Sequence, residues 1–334
     1  AVLNICATLG IMAAQIMAGA ALFSALGLNP TLGAVVLAIV VFIYCSISGM
    51  WGVMMTDSIQ TVVIFFSTIA CIVFIAMSGG FDAMSAALPE ASFEFVPFSG
   101  EQLVMMLIPG ALNGLISGAA FQRTASCKDE KVAFFAPIIA AFALIPFVVM
   151  PVIIGMYGKA AFPDAPSASI LFEVVLKMNP ILAGLMVAAV LSAVMSTMDI
   201  GLLNVTANTV KDIYYKTLNP SASQKALGRL SAIVTMVSGI IALALALTSS
   251  SILSLLSQTY ALMNAGGLVM VVGGVLWKKG TKEGAIASAF CGMAMILLTK
   301  VGVNIPYIGF TSLIPAIIAY VAVSLATQKK TANS

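Results

Sequence analysis

Residues 180–211 read PILAGLMVAAVLSAVMSTMDIGLLNVTANTVK, a stretch with one acidic residue, Asp199, and one basic residue, Lys211, at its end. A helix needs about 20 apolar residues to cross the hydrocarbon core of a bilayer. The stretch is long enough to cross and to continue into water on one side. Backbone groups in hydrocarbon must be hydrogen-bonded within the protein, and the stretch is too long for a barrel strand, so it predicts a transmembrane α-helix.

The rest of the chain has the same character. Of its 334 residues, 61% are hydrophobic and only 8% are charged, and the mean hydropathy is +1.12. In soluble domains roughly a quarter of all residues are charged. We therefore expect the lipid bilayer to surround this chain. The sequence predicts an all-α polytopic membrane protein with about ten transmembrane helices, in the apolar runs 1–27, 31–49, 57–79, 101–123, 132–156, 180–211, 228–248, 251–277, 283–302 and 309–327.

The basic residues predict the orientation of the chain. Cytoplasmic loops of membrane proteins carry an excess of lysine and arginine. Twelve of the fifteen Lys and Arg residues fall on one side if that side is formed by the loops 123–131, 211–229 and 278–282 and the tail 328–334. We therefore expect an integral protein of the plasma (inner) membrane, with both ends of this chain in the cytoplasm.

The composition excludes several kinds of chemistry. The chain has no histidine, and its five cysteines are scattered without a C-x-x-C pair. We therefore expect no disulfide, no metal cluster and no organic cofactor. Ser117-Gly118 superficially resembles a protease serine, but there is no histidine to activate it. We do not expect an enzyme, and we expect no nucleic-acid partner.

The helix predicted at 180–211 carries a set of hydroxyl groups. Ala193, Ser196 and Thr197 are spaced i, i+3, i+4 and therefore share a face. Two hydroxyls and a main-chain carbonyl offer hard, uncharged oxygen ligands, which suit a weakly held cation such as sodium. The alternative is that the hydroxyls only bond their own helix or join neighbouring helices. A polar stripe, expected along a wet exit path, continues through Asn204, Thr206 and Asn208.

Two carboxylates, Asp57 and Asp199, fall in or at the edge of apolar runs. An ionisable side chain there is costly and is a functional candidate. We interpret both as candidate functional residues, and Asp57 as a candidate for a cation site. Asp57 belongs to the stretch 44–60, which we expect to connect two spans on the cytoplasmic side. The alternative is that Thr56 or Asp57 caps the helix beginning there.

Two further runs supply candidate solute-binding residues. In run 101–123 the glycines are spaced four apart, which indicates either a packing face or a broken helix that would expose Asn113 and Ser117 to a solute. Run 251–277 begins with a polar cluster that could line a cavity or a gate, or form an interfacial belt with polar caps. Its candidate residues are Ser257, Gln258 and Tyr260.

Three segments together resemble the sodium/solute symporter family. They are the stretch 44–60, the Gln122-Arg123 motif followed by Lys128 to Lys131, and residues 188–199 running on to Asp212-Ile213-Tyr214. The resemblance implies the five-plus-five inverted-repeat fold of the amino-acid/sodium symporters, here a partial one.

Several site residues are implied by the resemblance. It implies that the Ala193 carbonyl and the Ser196 and Thr197 hydroxyls bind sodium. In members with a second cation site an acid matches Asp57, but the two serines of that site are replaced here by Asp199 and Ile200, so a proton could bind instead. In sugar-carrying members an asparagine and a glutamine hold the sugar, and Ser117 and Ser257 stand at those positions, which disfavours a hexose.

The resemblance also implies that residues 1–334 form a single transmembrane transporter domain. Residues 1–79 would be the remainder of the first repeat, 101–277 the second repeat and 283–327 two extra helices. The first run resembles the third core helix, so we expect an N-terminally truncated chain without the first two core helices. The expected function is sodium-coupled symport of a small-molecule solute, an amino acid or carboxylate. A non-transporting membrane sensor or scaffold and a proton-coupled symporter are the alternatives.

Overall fold

The structure, a computed structural model, describes residues 1–94, 99–100, 107, 111–114, 116–165, 169–249, 251–303, 305 and 311–331. The α-helices in this part of the chain are α1 Val2–Ala25, α2 Pro30–Met77, α3 Gly80–Ala87, α4 Gly118–Ala125, α5 Glu130–Ala161, α6 Ile170–Lys177, α7 Pro180–Ala207, α8 Gln224–Thr248, α9 Ile252–Met263, α10 Val269–Leu276, α11 Lys282–Lys300 and α12 Leu313–Thr331. A 3-10 turn covers Glu90–Phe93, and two π-helical segments cover Asn208–Leu218 and Asn264–Leu268.

Two of the long helices begin at an Asn-Pro pair. The Asn29 side chain accepts a hydrogen bond from the Leu32 backbone N–H, and Pro30 is the first residue of α2. At the start of α7, the Asn179 side chain accepts from two backbone N–H groups, and Pro180 follows. The asparagine supplies an acceptor for N–H groups that have no partner in the first turn, and proline has the φ that a helix needs.

Helix α2 contains a sharp break at Gly49, where φ is 59° and ψ is −159°. Glycine reaches this left-handed region without steric cost because it has no Cβ. The sequence predicted two separate runs, 31–49 and 57–79, joined by a tight connection within the stretch 44–60. That prediction was wrong in detail, because the chain is helical again from residue 50. Asp57 therefore lies inside a helix and cannot be its N-terminal cap.

The membrane character predicted from composition is confirmed. Five helical stretches are long and apolar enough to cross a bilayer among the described residues, namely Val2–Ala25, Pro30–Met77, Glu130–Ala161, Pro180–Leu218 and Gln224–Thr248. Large apolar side chains on α5 are exposed, for example Phe142 at 71% and Ile139 at 66%. Such a surface is stable against lipid or other apolar helices but not against water.

The best-buried core lies where α1, the first half of α2, α7 and α8 meet. Met12, Ile16, Val41 and Met198 are fully buried there, together with Phe42. Small residues let the helices approach closely. A side chain at Gly239 of α8 would meet the ring of Phe42 at 2.5 Å. This contact between α2 and α8 fixes the part of the bundle that carries Tyr44 and Asp199.

We predict that Gly239→Ala lowers the free energy of unfolding by about 1–3 kcal/mol, because an added methyl group overpacks the core against Phe42. Thermal unfolding in detergent micelles measures the effect. Gly228→Ala in the same helix is the matched control, since a Cβ there meets nothing within 4 Å. Equal unfolding temperatures for the two variants would contradict the prediction.

Candidate functional site

The predicted sodium ligands lie together on one turn of α7. The Ser196 hydroxyl donates to the Ala193 carbonyl over 3.1 Å, and the Thr197 hydroxyl donates to the same carbonyl over 3.1 Å. Ser196 and Thr197 are half-buried. Each hydroxyl proton points at the carbonyl, so the hydroxyl oxygens keep lone pairs on their other side. The geometry suits a cation that accepts neutral oxygen ligands, and it is also the local bonding that Ser and Thr adopt in membrane helices.

A small cavity of about 130 Å³ lies beside Thr197. Asn113 and Ser117, both predicted to contact a solute, line it together with Thr197. The Asn113 Nδ2 atom is buried and has no hydrogen-bond partner in the part of the chain that the structure describes. The structure therefore brings two predicted solute-binding residues and one predicted sodium ligand into a single cavity, with a buried N–H donor in its wall.

The same cavity holds an asparagine network that the sequence analysis did not single out as a unit. Asn4 Nδ2 donates to Asn204 Oδ1 over 3.1 Å, and Asn204 Nδ2 donates to the Thr8 hydroxyl over 3.1 Å. Asn208 Nδ2 donates to Asn204 Oδ1 over 2.9 Å. Asn204 is only 5% exposed. The network joins α1 to α7. Asn204 and Asn208 belong to the predicted polar stripe, whereas Asn4 stands alone in the first apolar run.

Asp199 is fully buried and receives a short hydrogen bond from Tyr44. The Tyr44 hydroxyl donates to Asp199 Oδ2 over 2.6 Å, while the other carboxyl oxygen, Oδ1, has no partner among the described residues. A carboxylate in such a place is held by a charge-assisted bond, which is stronger than a bond between neutral groups. Tyr44 lies in the stretch 44–60, and no role was predicted for it.

Asp57 pairs with Arg123 instead. Arg123 Nη2 lies 3.4 Å from Asp57 Oδ2, and the Asp57 side chain is 20% exposed. Asp57 Oδ1 and Gln60 Oε1 are both buried without a partner. The Asp57-x-x-Gln60 segment and the Gln122-Arg123 motif, distant in sequence, thus meet in the fold. Each carboxylate of the predicted pair has its own partner, and the second cation or proton site stays a prediction.

The remaining predicted residues are distributed differently. Tyr260 is 41% exposed and does not line the cavity beside Thr197. The side chains of Ser257 and Gln258, and residues Pro109 and Gly110 of the predicted helix break, lie outside the described part of the structure.

The predicted wet stripe on α7 is only partly present. Asn204 and Asn208 line a cavity. Thr206, however, is 8% exposed and shares a 2.9 Å hydrogen bond with Thr235 of α8. The prediction was wrong for Thr206, because that hydroxyl joins two packed helices and does not face water.

Long apolar helices with polar clusters between them define a polytopic helical membrane protein with a polar cavity inside the bundle. A sequence profile of the Sodium:solute symporter family matches residues 1–292. The chain belongs to that family, as the resemblance predicted.

Individual relatives agree with this assignment. A sodium/pantothenate symporter of Haemophilus influenzae is 27% identical over 323 residues, which are 92% of this chain and 66% of the relative. A sodium/proline symporter of Escherichia coli is 27% identical over 328 residues, 92% of this chain and 64% of the relative. This chain thus spans about two thirds of the length of these relatives.

A solved structure shares the fold. It is a substrate-bound, outward-open state of a Na+-coupled sialic acid symporter, and it matches 96% of this chain and 73% of its own chain with a TM-score of 0.75 at 19% identity. At this identity the likeness concerns the fold alone, and it confirms the predicted all-α transporter fold.

We predict that Tyr44→Phe lowers the free energy of unfolding by about 1–3 kcal/mol, the cost of leaving a buried acceptor without its donor. Chemical unfolding in mixed micelles measures the change. Tyr215→Phe is the control, because Tyr215 is 37% exposed. A Tyr44→Phe protein as stable as the control would show that the bond to Asp199 contributes nothing.

Proposed function

We propose that this chain forms part of a sodium-coupled symporter that carries a small organic solute with a carboxylate group, an amino acid or a simple carboxylic acid. One observation carries the proposal. The carbonyl of Ala193 and the hydroxyls of Ser196 and Thr197 gather within 3.1 Å on one turn of α7, and Thr197 also borders the cavity that holds Asn113 and Ser117. An ion site and a solute site would then share one wall.

Sodium suits the chemistry of the α7 turn. Its three oxygen atoms carry no net charge, so a monovalent cation would be held weakly enough to leave in every transport cycle. In transporters of repeated helices, main-chain carbonyls at interrupted helices coordinate sodium. The Ser196 and Thr197 hydroxyls, which bond to the backbone of their own helix, would supply the side-chain ligands of such a site.

The carboxylate preference rests on two supports. The solutes in the names of the two relatives, pantothenate and proline, both contain a carboxylate group. In this chain, Asn113 offers a buried N–H donor that has no partner. A solute carboxylate would accept from that donor and from the Ser117 hydroxyl, and hydrogen bonds to a charged acceptor are the stronger kind.

Coupling follows from a shared conformational equilibrium. If sodium binds one arrangement of α7 more tightly, and the solute binds the same arrangement more tightly, each ligand raises the affinity for the other by an equal factor.

We further propose that 1–79 and 101–277 belong to two repeats of one transmembrane domain, 1–334, with both ends of this chain in the cytoplasm.

A proton-coupled symporter is the second candidate, and the Asp199 environment favours it. That carboxyl group is 0% exposed and has one oxygen bonded to Tyr44 and one without a partner. A buried carboxyl group in a membrane protein is a natural proton carrier. In this alternative the coupling ion would bind at Asp199, and the α7 hydroxyls would only support the helix.

Solute uptake distinguishes the candidates. Proteoliposomes would contain the protein produced from the complete reading frame and be offered labelled proline, pantothenate, sialic acid and glucose, each with a sodium gradient, a proton gradient or no gradient. We expect accumulation of one carboxylate-bearing solute with the sodium gradient alone. Accumulation driven only by protons would favour the second candidate, and absence of all uptake by folded protein would favour the sensor or scaffold.

We predict that Thr197→Ala and Ser196→Ala each raise the sodium concentration needed for half-maximal uptake by about fivefold or more, the effect of losing one ligand of ordinary hydrogen-bond strength. Thr248→Ala in α8 is a matched control, since its hydroxyl makes the same kind of bond, to the Ala244 carbonyl over 2.9 Å. Unchanged sodium dependence in both α7 variants would refute the site.

A further inference from the structure

Two cavities meet at the amide pair of Asn4 and Asn204, which is joined by two hydrogen bonds of 3.1 and 3.5 Å. The inner one, about 130 Å³, contains Thr197, Asn113 and Ser117. The outer one, about 290 Å³, contains Asn208 and Asp212. Asn4, Asn204, Gly118 and Met263 line both cavities. The bond between Asn4 Nδ2 and Asn204 Oδ1, 3.1 Å long, therefore lies on the boundary between them.

Three elements converge at this boundary. Asn4 belongs to α1, Asn204 to α7, and Gly118 is the first residue of α4. A Cβ at Gly118 would come within 2.4 Å of Asn4 Nδ2 and 2.6 Å of Asn204 Oδ1. Only a residue without a side chain lets α4 press against the amide pair. The boundary is consequently tight, and a small relative movement of α1, α4 or α7 would separate its parts.

Asn204 keeps hydrogen-bond partners when Asn4 moves away. Its Nδ2 atom also donates to Thr8, and its Oδ1 atom also accepts from Asn208. A buried polar atom without a partner is costly, but both polar atoms of Asn204 would stay bonded. The bond to Asn4 can therefore open without leaving an unsatisfied group on α7.

We propose that the Asn4–Asn204 amide pair is an inner gate, which closes the route between the two cavities and, when open, lines the path by which the transported cation leaves. The inference rests on the proposed function, because the cation is the one bound beside Thr197. The path ends at Asp212, within the segment 211–229 that the basic residues predict to be cytoplasmic.

The chemistry of the pair suits passage of a monovalent cation. Its amide oxygens are hard ligands that can replace water molecules around sodium, as carbonyl oxygens do in ion channels. Amides carry no net charge, so the ion would not be trapped as it would be by a carboxylate. At the outer end, Asp212 supplies a negative charge, which is itself paired with Lys216 over 2.7 Å.

The test measures access to the inner cavity and does not require transport. Ile200, which lines the inner cavity, is changed to give Ile200→Cys in the full protein, and vesicles are treated from the 211–229 side with a small, charged methanethiosulfonate. Mass spectrometry of peptides reads the labelling of the new thiol. We expect Asn4→Ala to speed this labelling about fivefold or more, because the two hydrogen bonds between Asn4 and Asn204 no longer hold the closed state.

Three internal controls accompany the measurement. Asn219→Ala removes an asparagine that bonds Tyr214 and lines neither cavity, and should leave the rate unchanged. Cys127, in the loop after α4, reports that the reagent has arrived. Cys45 and Cys71 are buried and must stay unlabelled in a folded protein. If Asn4→Ala exposes them, Asn4→Ser replaces it, since the shorter side chain also loses the bond to Asn204.

Equal labelling rates with and without Asn4 in folded protein would overturn the gate. If Asn4→Ala speeds the labelling but the protein shows no sodium-driven uptake, the gate stands and the proposed function is rejected. Sodium-driven uptake with an Asn4-independent labelling rate would do the reverse. The two proposals therefore fail separately.

Discussion

Hydrocarbon offers no hydrogen-bond partner, and this constraint organises the whole structure. Each polar group within a membrane span must find its partner inside the protein. The backbone meets the demand by being helical on both sides of Gly49, where one non-helical residue changes the direction of the chain. Polar side chains meet it in pairs between helices, such as Tyr44 with Asp199 and Asn4 with Asn204. The polar groups thereby concentrate inside the bundle, where a solute and an ion could replace some of the partners.

Length and composition predicted the fold well, because an apolar run of about 20 residues in a charge-poor chain has few alternatives to a membrane helix. The hydroxyl spacing on α7 likewise placed Ser196 and Thr197 on one carbonyl. Pairs between distant runs were harder. Tyr44 and Asp199 are 155 residues apart, and nothing local at Tyr44 indicates a carboxylate partner. The end of the first run at Gly49 was predicted correctly, but the start of the next helix was placed at residue 57 instead of 50, because a single glycine can end one helix and let the next begin at once.

The two carboxylates show how similar residues acquire different environments. Asp57 is partly exposed and lies beside the positive charge of Arg123. Asp199 is fully buried and has a neutral phenol as its partner. Burial penalises a charge unless it is paired. The guanidinium offsets that penalty for Asp57, whereas a phenol offsets it less for Asp199. A cation or a proton arriving near Asp199 Oδ1 would therefore change the energy of the bundle more than one arriving near Asp57.

The positions of these groups along the chain connect them mechanically. Thr197 and Asn204 are seven residues apart on α7 and so lie on the same face two turns apart. Ser117 directly precedes Gly118, the residue that lets α4 touch the amide pair. In the proposed mechanism, a cation at Thr197 would act on α7 and a solute at Ser117 would act on the start of α4, and both helices contact the Asn4 side chain. If that contact opens only when α4 and α7 both move away from α1, neither ligand alone would release the path, and coupled transport would follow from the geometry of the amide pair.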